Sequence, residues 1–329
     1  MLTKRENLME TIQGGHPDRY VNQYEAFHIV SKNPYSANNP NPEYGGKPVV
    51  NAWGIMRAWP EGTPGVFPVH DEEHTVCKDI TEWKKYVKAP SVQYTAEEWE
   101  PYIKMAEEVD RREYFVTHFC APGIFEQLHN LQGMQDCLIN FYEEPEATQE
   151  LIDYLVQWEL EYAEVICRYL KPDAVLHHDD WGSQISTFMS PEMFKEFLYP
   201  GYKKIYSYYK SHGVQVIVHH SDSYGETLVP YMIDMGIDIW QGVMTSNDIP
   251  GIIEKYGGKI TLMGGIDSAS VDREDWNQEL IAREVRKSCL SYGTRYYIPC
   301  CTQGLPMSIY PGVHEAVTAE IDKMSKEVF

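Results

Sequence analysis

The chain has 329 residues, of which 43% are hydrophobic and 23% charged, and its net charge is −21. That length accommodates one large α/β barrel or two ordinary domains. No apolar run reaches the ~18–20 residues of a membrane span, and so acidic a surface repels nucleic acid and anionic membrane alike.

The opening Met1-Leu2-Thr3-Lys4-Arg5-Glu6-Asn7 lacks the apolar core of a secretion signal, so a cytoplasmic location is expected. Seven cysteines without framework spacing are expected to be reduced thiols. Thr3 to Ile12 reads as a helix, opened by a capping box between Thr3 and Glu6 and ended by Gly14-Gly15. Tyr20 to Val30 follows as a strand, residues 32–47 as a loop, Val49 to Met56 as a strand or hairpin arm, and residues 57–68 as a stiff aromatic loop.

From residue 80 onward strands and helices alternate. Strands are expected at Glu113 to Phe119, Asp173 to His178, Val214 to His220, Ile237 to Gln241, Lys259 to Met263 and Tyr296 to Cys301. Helices are expected at Glu97 to Arg112, Ile124 to Tyr142, Glu146 to Leu170, Pro191 to Lys210, Glu226 to Met235, Ile249 to Tyr256, Asp275 to Tyr292 and Gly312 to Lys326. Short βα units imply parallel strands with right-handed crossovers. About eight strand candidates suit a single (β/α)8 TIM barrel over residues 1–329, with an N-terminal helical and loop extension. No Gly-rich dinucleotide fingerprint follows the first strand.

Three of the strand-like runs end in ligand-type side chains: His177-His178-Asp179-Asp180, His219-His220-Ser221-Asp222 and Cys300-Cys301. In a parallel barrel those ends converge on one mouth, where imidazole, carboxylate and thiolate together form the donor set of a zinc site. Side chains alternate along a strand, so one histidine of each pair faces the barrel interior. His220, nearer its strand end and at His-x-Asp spacing from Asp222, is the preferred ligand; His219 orients a partner or packs. Of Asp179 and Asp180, one is expected to bind or to act as a general acid with a raised pKa, and the other to cap the turn into Trp181-Gly182. Asp267, following Gly264-Gly265, binds or caps. Trp53, Trp59, Phe67 and Trp181 fall near the expected mouth, and His178, Trp59, Trp181 and Asp267 are the candidates for substrate contact.

Several stretches carry a family likeness in order and spacing. These are Thr3 to Asn7 with Gly14 to Arg19, Asp180 to Gln184, Met189 to Phe197 with Tyr199-Pro200, Val216 to His220 with Met235 to Asp238, and Leu262 to Asp267. Together they resemble the uroporphyrinogen decarboxylase superfamily, which implies a (β/α)8 barrel with its active site at the C-terminal mouth. Decarboxylases of that superfamily carry an Arg-Gln-Ala-Gly-Arg-type motif, and the nearest basic spot here, Arg57-Ala58-Trp59-Pro60, does not match it. The pattern is similar to that of the zinc-dependent corrinoid methyltransferases, with a His-x-Cys after one strand and a Cys after the last. Here His220 stands at the histidine, Asp222 replaces the first cysteine, and Cys300 or Cys301 falls near the second.

The resemblance therefore implies zinc held by His220, Asp222 and Cys300 or Cys301, with Asp179 or Asp180 assisting the leaving group. It implies the first methyltransferase component of an O-demethylase. Methyl would pass from a small-molecule donor, a methoxylated aromatic foremost, to the Co(I) of a separate corrinoid (cobalamin) protein. Replacement of a thiolate by a carboxylate makes such a site harder and favours an oxygen ligand. Transfer from a corrinoid to a thiol or folate, decarboxylation, and non-catalytic tetrapyrrole binding are the alternatives. Neither nucleic acid nor membrane is expected as a partner, and a homodimer is left open.

Overall fold

The computed structural model describes residues 1–63 and 65–329. Ten strands are present among them: β1 (Phe27–Val30), β2 (Val49–Val50), β3 (Met56–Ala58), β4 (Phe67–Pro68), β5 (Phe115–Cys120), β6 (Ala174–His178), β7 (Val216–His220), β8 (Ile239–Val243), β9 (Thr261–Ile266) and β10 (Tyr297–Cys301). Seven form one sheet in the order β1-β5-β6-β7-β8-β9-β10, with every pairing parallel. Helices cover its outer face, giving a TIM-barrel-like α/β fold.

The expected strand at Val49 to Met56 does not join that sheet. Asn51 Oδ1 accepts hydrogen bonds from the backbone N–H groups of Trp53 and Ile55, both at 3.0 Å, which reverses the chain in an Asx turn. The segment consequently forms a separate antiparallel sheet, β2-β3-β4. The barrel sheet thus holds seven strands rather than eight. Between β1 and β10 the connection is made by Gln23: its N–H donates to the Pro299 carbonyl at 3.3 Å, and its Oε1 accepts from the Cys301 N–H at 3.3 Å.

Alternation along the strands divides the core in two. Phe115, Leu176, Val218, Ile239, Met263, Ile298 and Cys300 pack together inside the barrel. Val175, Ile217, Trp240, Leu262 and Tyr297 point the other way, into the interface with the helices. Continued by two residues, the inward series on β6, β7 and β8 reaches His178, His220 and Gln241.

The opening helix α1 (Lys4–Gln13) has the expected capping box and ends on Gly14 in the left-handed conformation. One expected helix is divided into Ile124–Gln132 and Met134–Glu143 by Gly133, whose φ of 87° a helix cannot contain. The long helix Pro145–Tyr169 and the helix Tyr199–Ser211 flank β5, β6 and β7. Just before Pro200, which has no N–H to give, the chain widens into a π-helical turn at Phe194–Leu198. No described helix is long and apolar enough to cross a membrane.

Candidate functional site

His178 and His220 lie side by side because β6 and β7 pair them directly in register. Their rings sit 4.2 Å apart between centroids. Asp180, two residues beyond His178, brings Oδ1 to 3.6 Å from His220 Nε2. One ligand atom from each of His178, Asp180 and His220 lies within 4.8 Å of the other two.

Neighbouring polar groups orient these side chains. Gln241 donates its amide hydrogens to the carbonyls of Cys301 at 3.2 Å and Gln303 at 3.3 Å. Its Oε1 is thereby turned to His220 Nδ1, which donates to it. That hydrogen bond puts the ring proton on Nδ1 and leaves Nε2 with a lone pair toward Asp180. Glu126 Oε2 holds His178 Nδ1 at 3.1 Å, and the Asp222 N–H donates to Asp180 Oδ1 at 3.1 Å. Gly304 roofs the cluster: a Cβ there would stand 2.9 Å from Cε1, Nδ1 and Nε2 of His220, so only glycine allows the loop so near.

Three carboxylates crowd this pocket. Burial and the neighbouring Asp222 push Asp180 well above the usual carboxylate range, and burial with Glu126 nearby lifts Asp222 to about 6. Burial alone would depress His178, but Glu126, Asp180 and Asp222 outweigh it and raise the imidazole to about 10. His220 is pushed well below its ordinary value by burial and by His178. Asp180 thus holds its proton more readily than an ordinary carboxyl, and a divalent cation beside it would favour the ionised form. Two imidazole nitrogens and a carboxylate beside an open mouth match a catalytic zinc set of three protein ligands, so the residues fit that ion.

The other expected site residues lie elsewhere. Cys300 faces the barrel interior, but its Sγ is 4.0 Å from the Gln241 amide and 3.8 Å from Gln23 Oε1, outside the histidine group. Cys301 points outward among Ile266, Val271 and Ile281, and burial raises its thiol to about 12. Asp179 accepts from the backbone N–H of Phe125 at 3.0 Å and of Glu126 at 2.7 Å, and from Trp181 Nε1 at 3.1 Å. It therefore caps the helix Ile124–Gln132. Trp181 is buried behind the site, stacked on His219 at 3.8 Å. His219 itself is fixed by Tyr206 and by the Asp179 carbonyl. Asp267 caps the short helix Ser268–Val271, and Trp59 rests against Tyr44 with its N–H on the Thr63 carbonyl.

Glu126, Gln241 and Gly304 were not singled out from the sequence. Gln241 could have been: it ends the expected strand Ile237 to Gln241, and in β8 it shares the inward register of His220. A second ligand-type group, Cys120, Glu159 and His177, lies on the outer face of the sheet. There Glu159 Oε1 accepts from His177 Nε2 at 2.5 Å and lies 3.9 Å from the Cys120 sulfur.

A cavity of about 250 Å³ opens between the end of β5 and the long helix Pro145–Tyr169, walled by Tyr35, Trp53, Trp158, Tyr162, Arg57 and Phe119. Phe119 also meets the His178 ring edge-on at 6.5 Å, so the cavity borders the histidine cluster.

A methyltransferase from Methanosarcina mazei has a similar fold, with a TM-score of 0.67 and 16% identity over 98% of this chain and 99% of that one. A putative sugar phosphate isomerase/epimerase from Anabaena variabilis overlaps with a TM-score of 0.37 at 10% identity, covering 73% of this chain and 85% of its own. A D-psicose 3-epimerase overlaps with a TM-score of 0.35 at 10% identity, covering 71% and 82%. Both overlaps are too loose to carry an inference. No protein of curated function matches the sequence. The uroporphyrinogen decarboxylase family matches residues 124–324, a stretch from the capped helix through β10 that holds every member of the histidine cluster. The chain belongs to the uroporphyrinogen decarboxylase family.

Proposed function

We propose that this chain is a methyltransferase that takes a methyl group from a methyl ether, foremost a methoxylated aromatic, and delivers it to the Co(I) of a separate corrinoid protein. The observation that carries this reading is the all-nitrogen-and-oxygen donor group His178, Asp180 and His220 at the barrel mouth. Such a set prefers an oxygen ligand to a sulfur one, which favours an ether donor over thiol methylation. The neighbouring cavity, at about 250 Å³, is too small for a tetrapyrrole and suits a single ring. The fold shared with a methyltransferase is consistent with this assignment.

His178, Asp180 and His220 would hold zinc, which when bound supplies Lewis acidity toward an ether oxygen. In the reaction the O–CH3 bond breaks with its electron pair left on oxygen, and the methyl group goes to the cobalt of the acceptor. Asp222, which burial and Glu126 lift to about 6, would give the departing oxygen its proton. Gln241 and Glu126 keep the two imidazoles turned to the cluster, and Gly304 lets the loop after β10 close over it.

The test combines metal content with turnover. The purified protein is expected to bind about one zinc per chain and His220→Ala to bind none, in line with a three-ligand site. The zinc-loaded enzyme should methylate a Co(I) corrinoid protein from a methoxylated aromatic, seen as loss of the Co(I) absorbance. Coproporphyrinogen formation from a tetrapyrrole donor, or methyl transfer only from the corrinoid to a thiol, would overturn the reading.

A further inference from the structure

The cavity beside the mouth contains an arginine, Arg57, that no carboxylate contacts directly; the nearest charge to favour it, Glu126, is engaged by His178. Among the described residues, every other arginine except the exposed Arg295 sits against a carboxylate. Arg57 is partly shielded from water in the cavity wall, and among the described residues its guanidinium makes neither an ion pair nor a hydrogen bond. Burial works against its charge. Glu159 lines the same cavity, but its Oε1 is already engaged by His177. In a chain of net charge −21, with carboxylates available on most surfaces, a shielded arginine left unpaired marks a place kept for an anion from outside.

The rest of the wall describes the body of that anion. Trp158 lies 5.0 Å from Trp53, 5.3 Å from Tyr35 and 5.4 Å from Tyr162, centroid to centroid. Four rings locked against one another offer flat, rigid faces to an aromatic guest. A volume of about 250 Å³ falls just below the ~300–1,000 Å³ of pockets for drug-sized ligands, which restricts the guest to one ring with small substituents. Phe119 forms both the wall of this cavity and the flank of His178, so the occupant borders the histidine cluster.

We infer that the cavity binds a single-ring aromatic carboxylate, with the guanidinium of Arg57 on the carboxylate and the ring between the tryptophan and tyrosine faces. Its role as the methyl donor's site rests on the function proposed above; the binding itself does not.

The probes are 4-methoxybenzoate, benzoate and the neutral anisole. They are titrated into the full-length protein, with calorimetry and the fluorescence of Trp53 and Trp158 as readouts. Both carboxylates should bind at least about tenfold more tightly than anisole, a gap of about 1.4 kcal/mol. Arg57→Gln should abolish that preference and Arg57→Lys should keep part of it. A carboxylate preference absent from the wild type, or surviving in a folded Arg57→Gln protein, overturns the inference. Methyl transfer from neutral methyl ethers without carboxylate binding would sink this inference alone. Carboxylate binding without any methyl transfer would sink only the proposed function.

Discussion

Gln241 owes its orientation to two carbonyls it cannot leave, and through that orientation it decides which nitrogen of His220 is bare. Gln241→Leu removes the acceptor without touching a ligand. It should weaken zinc binding by about 10–100-fold, as loss of an outer hydrogen bond to a ligating histidine commonly does, and competition against a chelator measures this directly. Affinity equal to wild type would mean the ring is held by packing alone. At this scale the sequence was partly legible. A period of two placed one histidine of each pair inside the barrel, and the structure turns His178 and His220 inward and His177 and His219 outward. Glu126 was hidden because it sits on a helix of another βα unit, and no spacing along the chain connects it to His178. The cysteines misled for a related reason: the sequence put Cys300 at the right strand end, but only the fold shows Gln241 standing beside it.

Among the elements, the helix Ile124–Gln132 is seated on the sheet by one carboxylate. Asp179 collects two backbone N–H groups from its first turn and the Trp181 indole, all inside the protein. Asp179→Ala would leave those donors buried and unpaired, so a loss of about 2–4 kcal/mol is expected from urea unfolding. Asp180→Asn, next along the chain, should leave the unfolding midpoint of the metal-free protein nearly unchanged while zinc binding is lost. A mild effect of Asp179→Ala on stability with a large one on turnover would reverse the two roles. Element order was readable throughout the second half of the chain, where strand and helix signals alternate cleanly. It failed at Asn51 to Ile55, where an Asx turn lies inside an apolar run, and at Gly133, where one glycine splits a continuous helical pattern.

For the molecule as a whole, a net charge of −21 is a standing repulsion that the fold must overcome. Raising sodium chloride from about 10 mM to about 300 mM shortens the screening length from about 30 Å to below 10 Å. The melting temperature of the metal-free protein should therefore rise; a fall would mean that surface ion pairs outweigh the repulsion. The barrel also has a direction in time. Gln23 is synthesised 278 residues before Cys301 and can grip Pro299 and Cys301 only once that intervening stretch exists. Until then β1 and β9 are bare sheet edges, and Gly304 is not yet there to cover His220. A nascent chain of this protein is consequently all scaffold and no mouth, and a product stopped short of β10 would expose strand edges to its neighbours instead of a finished site.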